Sequence, residues 1–416
     1  MRRFLQATII LAACLAVLPA QETADIGARL LKDQAIRAAL DAAQKSEPEI
    51  LDRQVRLSEI PAPPFKEEKR AAALKQIFEE FGLQNVRIDE AGNVLGERPG
   101  LKPRPHLVFS AHLDTVFPED TNVKTSRKGS VIYGPGIGDD ARGLAVLVGV
   151  VNALNRARVQ TQGTITFVGT VGEEGLGDLR GVKNLFHQSL KGKVDRFVSV
   201  DGSGLGITNV GVGSHRYRIV YKGPGGHSFG AFGLPNPIHA LGRGIARIAE
   251  FQVAEKPRTT FNVGRIGGGT SVNSIAYEAW MEMDMRSSDR DSLAAVDAKF
   301  QRALDEALSE ENARWGDRIK LTVDKQLVGD RPAGRTPEDS MIVQAAISVT
   351  RALGHTPRLG EGSTDSNIPM SMNIPAVTIG GGGRGSGGHS LSESFDSDQS
   401  WLGTQRAVLL AVALSY

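Results

Sequence analysis

Four segments of the chain share one design, a short β-rich apolar run that breaks off in histidine, acidic residues and glycine. They are His106 to Thr115 (HLVFSAHLDT), Thr164 to Gly175 (TITFVGTVGEEG), Arg196 to Gly202 (RFVSVDG) and Ala376 to His389 (AVTIGGGGRGSGGH). A strand without polar alternation has to be covered on both faces, as parallel strands between layers of helices are. Gly143 to Ala157 and Asp339 to Leu353 are long and apolar enough to be packed helices. The pattern therefore predicts an α/β fold, a mostly parallel sheet with helices on both faces. Ligands of such sheets bind beyond the carboxyl ends of the strands, which is where the polar residues of the four runs fall.

Between about 214 and 328 the texture changes. Strands over 215–222, 259–266, 275–286 and 318–327, with helices over 236–253 and 289–312, give the order βαββαβ. That order is a ferredoxin-like α+β unit. It interrupts the α/β domain, which then comprises 22–213 and 329–416 and resumes after Gly329-Asp330-Arg331-Pro332. Residues 22–60, rich in Ala, Leu and alternating charge, predict a helical segment packed on the outside. A chain of 416 residues has material for two such units.

Lys plus Arg number 49 against 47 Asp plus Glu, without any long basic run. Nothing in that balance asks for nucleic acid or an anionic membrane. Arg2-Arg3, the apolar stretch Phe4 to Leu18 and Pro19-Ala20 have the layout of a secretory signal peptide over 1–20. The stretch is shorter than the ~20 residues that span a bilayer, and Gln6 and Thr8 interrupt it. The expected location is secreted or periplasmic, with no stable membrane span after cleavage. Cys14, the single cysteine, would leave with the leader, so the mature chain could form no disulfide. Leu11-Ala12-Ala13-Cys14 also fits a lipoprotein acceptor site; the apolar run continuing to Leu18 makes that anchoring the weaker alternative.

The candidate metal ligands are His112, Asp139, Glu174, Asp201 and His389, each at the end of a strand or in the loop after one. Zinc accepts imidazole nitrogen and carboxylate oxygen, and two ions can share one carboxylate, so five such groups suit a two-metal site. Asp114, two residues beyond His112, can orient the imidazole. Glu173 neighbours Glu174, and in an irregular loop one of the two can ligate while the other stays free as a base. Singly these signals are weak, because His-x-Asp and acidic pairs such as Asp139-Asp140 are common on solvated loops and at helix N-termini. His106, His187, His239 and His355 lack such company and are read as structural.

Ser110-Ala111-His112-Leu113-Asp114-Thr115, Gly134-Pro135-Gly136-Ile137-Gly138-Asp139-Asp140, Gly172-Glu173-Glu174-Gly175, Val200-Asp201-Gly202 and Gly388-His389-Ser390 occur in that order. With the ferredoxin-like insertion between the fourth and fifth, the chain resembles the zinc metallopeptidase family of peptidase T, carboxypeptidase G and acetylornithine deacetylase, over nearly its whole mature length. The resemblance implies that His112 and Asp201 hold one zinc, that Glu174 and His389 hold the other, and that Asp139 bridges them. Asp114 would orient His112 and Glu173 would be the acid/base. Co2+ or Mn2+ would be the substitutes for the two Zn2+. The family often has Lys or Met-Lys after the bridging aspartate, where this chain has Asp140-Ala141-Arg142; Arg142 is read as a basic substitute.

In the insertion, Gly223-Pro224-Gly225-Gly226-His227-Ser228 resembles the family's glycine-histidine turn, whose histidine completes the site of a second subunit. Asn273 and Arg286, in Val272-Asn273-Ser274-Ile275 and Asp284-Met285-Arg286, resemble its substrate-binding residues, and Gly362 to Asn367 resembles a loop that lines the cleft. The implied protein is a homodimer joined through its lid, and a two-zinc hydrolase of amide bonds in small peptides. Aspartate at the position of Asp201 goes, in the family's pattern, with aminopeptidases and di- or tripeptidases. A carboxypeptidase or N-acyl amino acid amidohydrolase is the runner-up. A non-catalytic binding protein on the same fold is the alternative of a different class.

Overall fold

The computed structural model describes residues 25–316 and 319–416; the leader and its cysteine lie outside them. Among the described residues the main sheet has nine strands. Its centre is the set of apolar runs, in the order Ile165–Thr170, Leu107–His112, Arg196–Val200, Ala376–Ile379, all mutually parallel. Antiparallel neighbours extend it on both sides, with Val94–Arg98 and Gln84–Ile88 beyond Ile165–Thr170, and Ile207–Gly211 beyond Ala376–Ile379. Every residue of Leu107–His112 and Ile165–Thr170 is buried. The strands are shorter than the sequence runs: Ile165–Thr170 stops before Val171, and Ala376–Ile379 stops before the glycines. Glycines have no side chain to pack in a ladder, so the chain turns out of the sheet there.

Helix Ala141–Arg156 packs on Leu107–His112 and is buried along most of its length. Asp140 caps it, accepting from the Gly143 N–H at 3.0 Å. Only glycine fits at 143, since a Cβ there would lie 2.4 Å from the Asp140 carboxylate and from the Val200 carbonyl. Helix Gln34–Ser58 lies over this helix and over Trp401–Leu414, as an outer layer. The tie between them is Arg142. Its fully buried guanidinium donates to Glu47 Oε1 (2.8 Å), Gly381 O (2.7 Å) and Ser400 O (2.6 Å). The basic residue after Asp140 is thus a junction between three distant segments.

The insertion is a four-stranded antiparallel sheet in the order Thr259–Gly268, Glu278–Ser287, Gly213–Lys222, Thr322–Arg331. With helices Pro237–Ala249 and Arg290–Arg314 the chain order is βαββαβ, as its periodicity predicts. Along Glu278–Ser287 alternate residues are buried: Ala279, Met281, Met283 and Met285 face the helices, while Trp280, Glu282, Asp284 and Arg286 are on the open face. Both crossings between the two sheets are fastened by Asn367, whose Nδ2 donates to Val212 O (2.9 Å) and Pro332 O (3.0 Å). Among the described residues no helix is long and apolar enough to cross a membrane.

Candidate metal centre and catalytic cleft

His112 ends its strand and is 2 % exposed, with Nε2 2.9 Å from Asp139 Oδ1 and Nδ1 3.0 Å from the Asp114 carbonyl. The other oxygen of Asp139 is 3.1 Å from His389 Nε2, and His389 Nε2 is 2.8 Å from Glu174 Oε1. Asp139 thus presents one oxygen to each histidine. His112, Asp140 and Asp201 form one group of convergent donor atoms, and His112, Asp139 and Glu174 form another. Asp140 is poorly placed to be a ligand, because its oxygens already accept from the N–H groups of His112 (3.0 Å), Gly143 (3.0 Å) and Gly202 (3.2 Å). It fixes the ends of two strands and the start of a helix beneath the cluster.

Asp114 does more than face His112. Its Oδ1 is 3.7 Å from the imidazole Nδ1, while its two oxygens accept from the N–H groups of Glu173 (2.9 Å) and Glu174 (2.7 Å). The adjacent glutamates are therefore pinned at the backbone, and their side chains diverge: Glu174 meets His389, whereas Glu173 Oε1 lies 3.1 Å from Arg331 Nη1. Glu393, which sequence reasoning missed, holds the Asp139 loop by accepting from Gly136, Gly138 and Asp139 N–H groups at 2.8–3.0 Å. His389 itself has φ 63°, in the left-handed region that a side chain rarely adopts, between two loop turns. Such outliers collect where geometry is held for function.

The electrostatics follow from crowding acids in a dry site. Burial raises the Asp201 carboxyl well above its usual range and raises Glu173 as well. Glu174 is pushed up to about 7 by burial and by the charge of Glu173. Asp365, buried beside Thr170 with Oδ1 unpartnered, is also pushed up to about 7 by burial and the charge of Glu173. Asp139 goes the other way; burial opposes its ionisation, but its bonds to His112 and His389 outweigh that. The bond to Asp139 lifts His389 to about 9. A set of buried carboxylates that the protein itself leaves short of positive charge, with two imidazoles and one carboxylate shared between them, fits a pair of divalent cations.

The structure does not bring every predicted residue here. Arg286 is at the hinge end of its strand, opposite Ser214, with its guanidinium on Asp284 at 2.8 Å. His227 follows Lys222 at the far end, eight residues along the paired strand, about 26 Å away at 3.3 Å per residue. There it pairs with Ser274, and Ser228 N–H donates to Asn273 O at 2.9 Å, so His227 and Asn273 form one tip remote from the cluster. Gly362 to Asn367 does line the cleft, through Ser363 on Arg331 and Asp365 on Thr170.

The sequence pattern of Peptidase family M20/M25/M40 matches residues 108–414. Among curated relatives, the uncharacterized protein YqjE of Bacillus subtilis is 25 % identical over 357 residues, covering 80 % of this chain and 90 % of that one. The N-acetylcysteine deacetylase of Bacillus subtilis is 26 % identical over 268 residues, covering 60 % of this chain and 68 % of that one. Among solved structures, a tripeptidase from Staphylococcus aureus superposes with a TM-score of 0.74 at 24 % identity, covering 89 % of this chain and 98 % of that one. The aminopeptidase PepT from Bacillus cereus gives 0.71 at 21 %, covering 88 % and 98 %. These two show a shared fold. The chain belongs to peptidase family M20/M25/M40 and is a hydrolase of its peptidase and amidohydrolase class.

Proposed function

We propose that the protein is a two-zinc hydrolase that cleaves amide bonds in small peptides near a free amino end, with Glu173 as the acid/base. The observation that carries this reading is Asp139 offering one oxygen to His112 and the other to His389, beside a glutamate that is not part of that contact. His112 and Asp201 would hold one ion, Glu174 and His389 the other, with Asp139 between them. Bound there, zinc would polarise a scissile carbonyl and lower the pKa of water. Glu173 takes the proton from the attacking water and delivers it to the leaving nitrogen, since an amine leaves poorly as an anion. Its burial shifts the carboxyl toward neutrality, the direction a general base needs.

Aspartate at 201 favours a peptidase by the family's pattern; the N-acetylcysteine deacetylase relative keeps the deacylase second. The lid tip supports a homodimer. Phe229 is 90 % exposed and Phe232 80 %, both just after the Gly223 to Ser228 turn, which is much apolar surface for solvent to cover. In a dimer through this unit, His227 and Asn273 would travel together into the second subunit's cleft. Export by the leader over 1–20, to a secreted or periplasmic location, belongs to the same reading.

The test is a panel of dipeptides, tripeptides and N-acetyl amino acids offered to the zinc-loaded protein, with metal content measured beside turnover. Release of the amino-terminal residue with about two zinc ions per chain is expected. Turnover of N-acetyl amino acids alone would move the assignment to the runner-up. A metal-free protein that binds panel members without cleaving them would replace the enzyme with the binding protein.

A further inference from the structure

Glu173 is held from the lid. Arg331 is the last residue of the insertion's closing strand, 4 % exposed, and its guanidinium reaches into the other domain. Nη1 donates to Glu173 Oε1 at 3.1 Å and to Ser363 Oγ at 3.1 Å, while Nη2 donates to the Glu173 carbonyl. One planar fork thus fixes both the side chain and the main chain of the same residue, which a lysine's point charge could not do. Neighbouring contacts run the same way across the same seam. Arg216 Nη1 donates to Gly175 O at 2.8 Å, the Asp330 N–H donates to Asp178 Oδ1 at 2.9 Å, and Lys183 Nζ donates to Asp330 O at 2.8 Å. The segment from Glu173 to Lys183 is therefore attached to the base of the lid at four points.

We propose that Arg331 is a positioning residue for Glu173, so that the orientation of the lid sets where the catalytic carboxylate stands. Glu173 has a backbone fixed by Asp114, but Arg331 is the only cation paired with its carboxylate among the described residues. Arg331 directly precedes Pro332, one of the two crossings held by Asn367, so the fork stands at the pivot between lid and sheet, where a change in lid orientation would be passed to Glu173. Closure over a substrate then places the base, and opening withdraws it.

The inference rests on the reading of Glu173 as the base, and the experiment separates the two. Arg331→Met, Arg331→Lys, Glu173→Gln and the double variant Glu173→Gln/Arg331→Met are compared for zinc content, KM and kcat on whichever peptide of the panel turns over. Arg331→Met should keep its zinc and its KM and lose kcat about 10- to 100-fold, the scale of a misplaced catalytic group. Arg331→Lys should recover part of that loss. The double variant should be no slower than Glu173→Gln alone, because the guanidinium acts through the carboxylate. Additive losses, unchanged kcat in Arg331→Met, or zinc lost together with kcat would each overturn the proposal and leave Arg331 a structural ion pair. Should Arg331→Met fail to fold, Arg331→Lys carries the decision: lowered kcat at full zinc supports it, and unchanged kcat overturns it. Near-normal turnover in Glu173→Gln would instead remove the base assignment, and the inference with it.

Discussion

In Leu107–His112 every side chain is buried, whereas in Glu278–Ser287 burial alternates and one face stays open. The first sheet uses its whole strand for packing and has only its ends left for chemistry. His112, Asp201 and the loops after Thr170 and Ile379 therefore crowd one edge, pinned by backbone N–H groups on Asp114, Asp140 and Glu393. The second sheet divides the work by residue parity: methionines go to the helices, and charged residues go to the open face. There Asp284 accepts from both Arg216 and Arg286, and Glu282 accepts from Arg218 and Arg265. A site built on the first sheet tolerates little change anywhere along its strands, while the second can alter one face without disturbing the other.

The comparison breaks or sharpens under four changes. The largest effect expected is from Glu173→Gln, which should lower turnover by about 10²–10⁴-fold with folding and metal content kept, as stopped assays and metal analysis would show. Next is packing. Phe109→Ala, in the fully buried strand, should cost about 3–5 kcal/mol in denaturant unfolding. Trp280→Ala, on the open lid face beneath Arg218, should cost under about 2 kcal/mol, mainly a lost cation–π contact. Equal costs would erase the distinction between the sheets. Third, equal mixing of inactive His227→Ala and inactive Glu173→Gln chains should restore about a quarter of wild-type activity, since half the dimers are hybrids with one complete site of two. Verified hybrids without activity would confine His227 to its own chain.

The smallest effect concerns the hinge end of the lid. His215 has its pKa raised, chiefly by its 2.7 Å bond to Asp297. A raised folded-state pKa means stability fully present below the unfolded value of about 6.5, and lost as pH rises through the folded value. Lid stability should therefore decline gently on raising the pH above about 6.5, and His215→Gln should flatten that slope. A slope unchanged in the variant would assign it to other groups.

The alternation and the apolar runs made both sheets legible, because each period follows directly from which faces are covered. The ligand candidates were legible because they sit where those runs stop. What the sequence did not disclose are the residues that act at a distance along the chain. Glu393 stands among serines in Ser390-Leu391-Ser392-Glu393-Ser394, and nothing local says that it accepts three N–H groups of the Asp139 loop. Asp140 looked like half of an acidic pair, and only the fold shows it joining His112, Gly143 and Gly202. Arg331 had one available sign, a basic residue in the segment Gly329 to Pro332 read as the boundary after an insertion ending at 328, whereas the insertion's closing strand runs on to Arg331. His227 and Asn273 were each legible only as members of separate turns of the insertion; that they share one tip, and how far it lies from the cluster within one chain, needed the strand pairing and register.

Arg142 also constrains how the molecule can be made. Its guanidinium joins Glu47, Gly381 and Ser400, separated from it by 95, 239 and 258 residues. Closing loops of that size is slow, because their entropy is lost before any contact is gained. The glycine loop that leads to His389 therefore acquires its anchor only when both ends of the polypeptide have been synthesised. The rate at which this protein becomes competent should thus track completion of its last helix, Trp401–Leu414, rather than synthesis of the strands that carry its ligands.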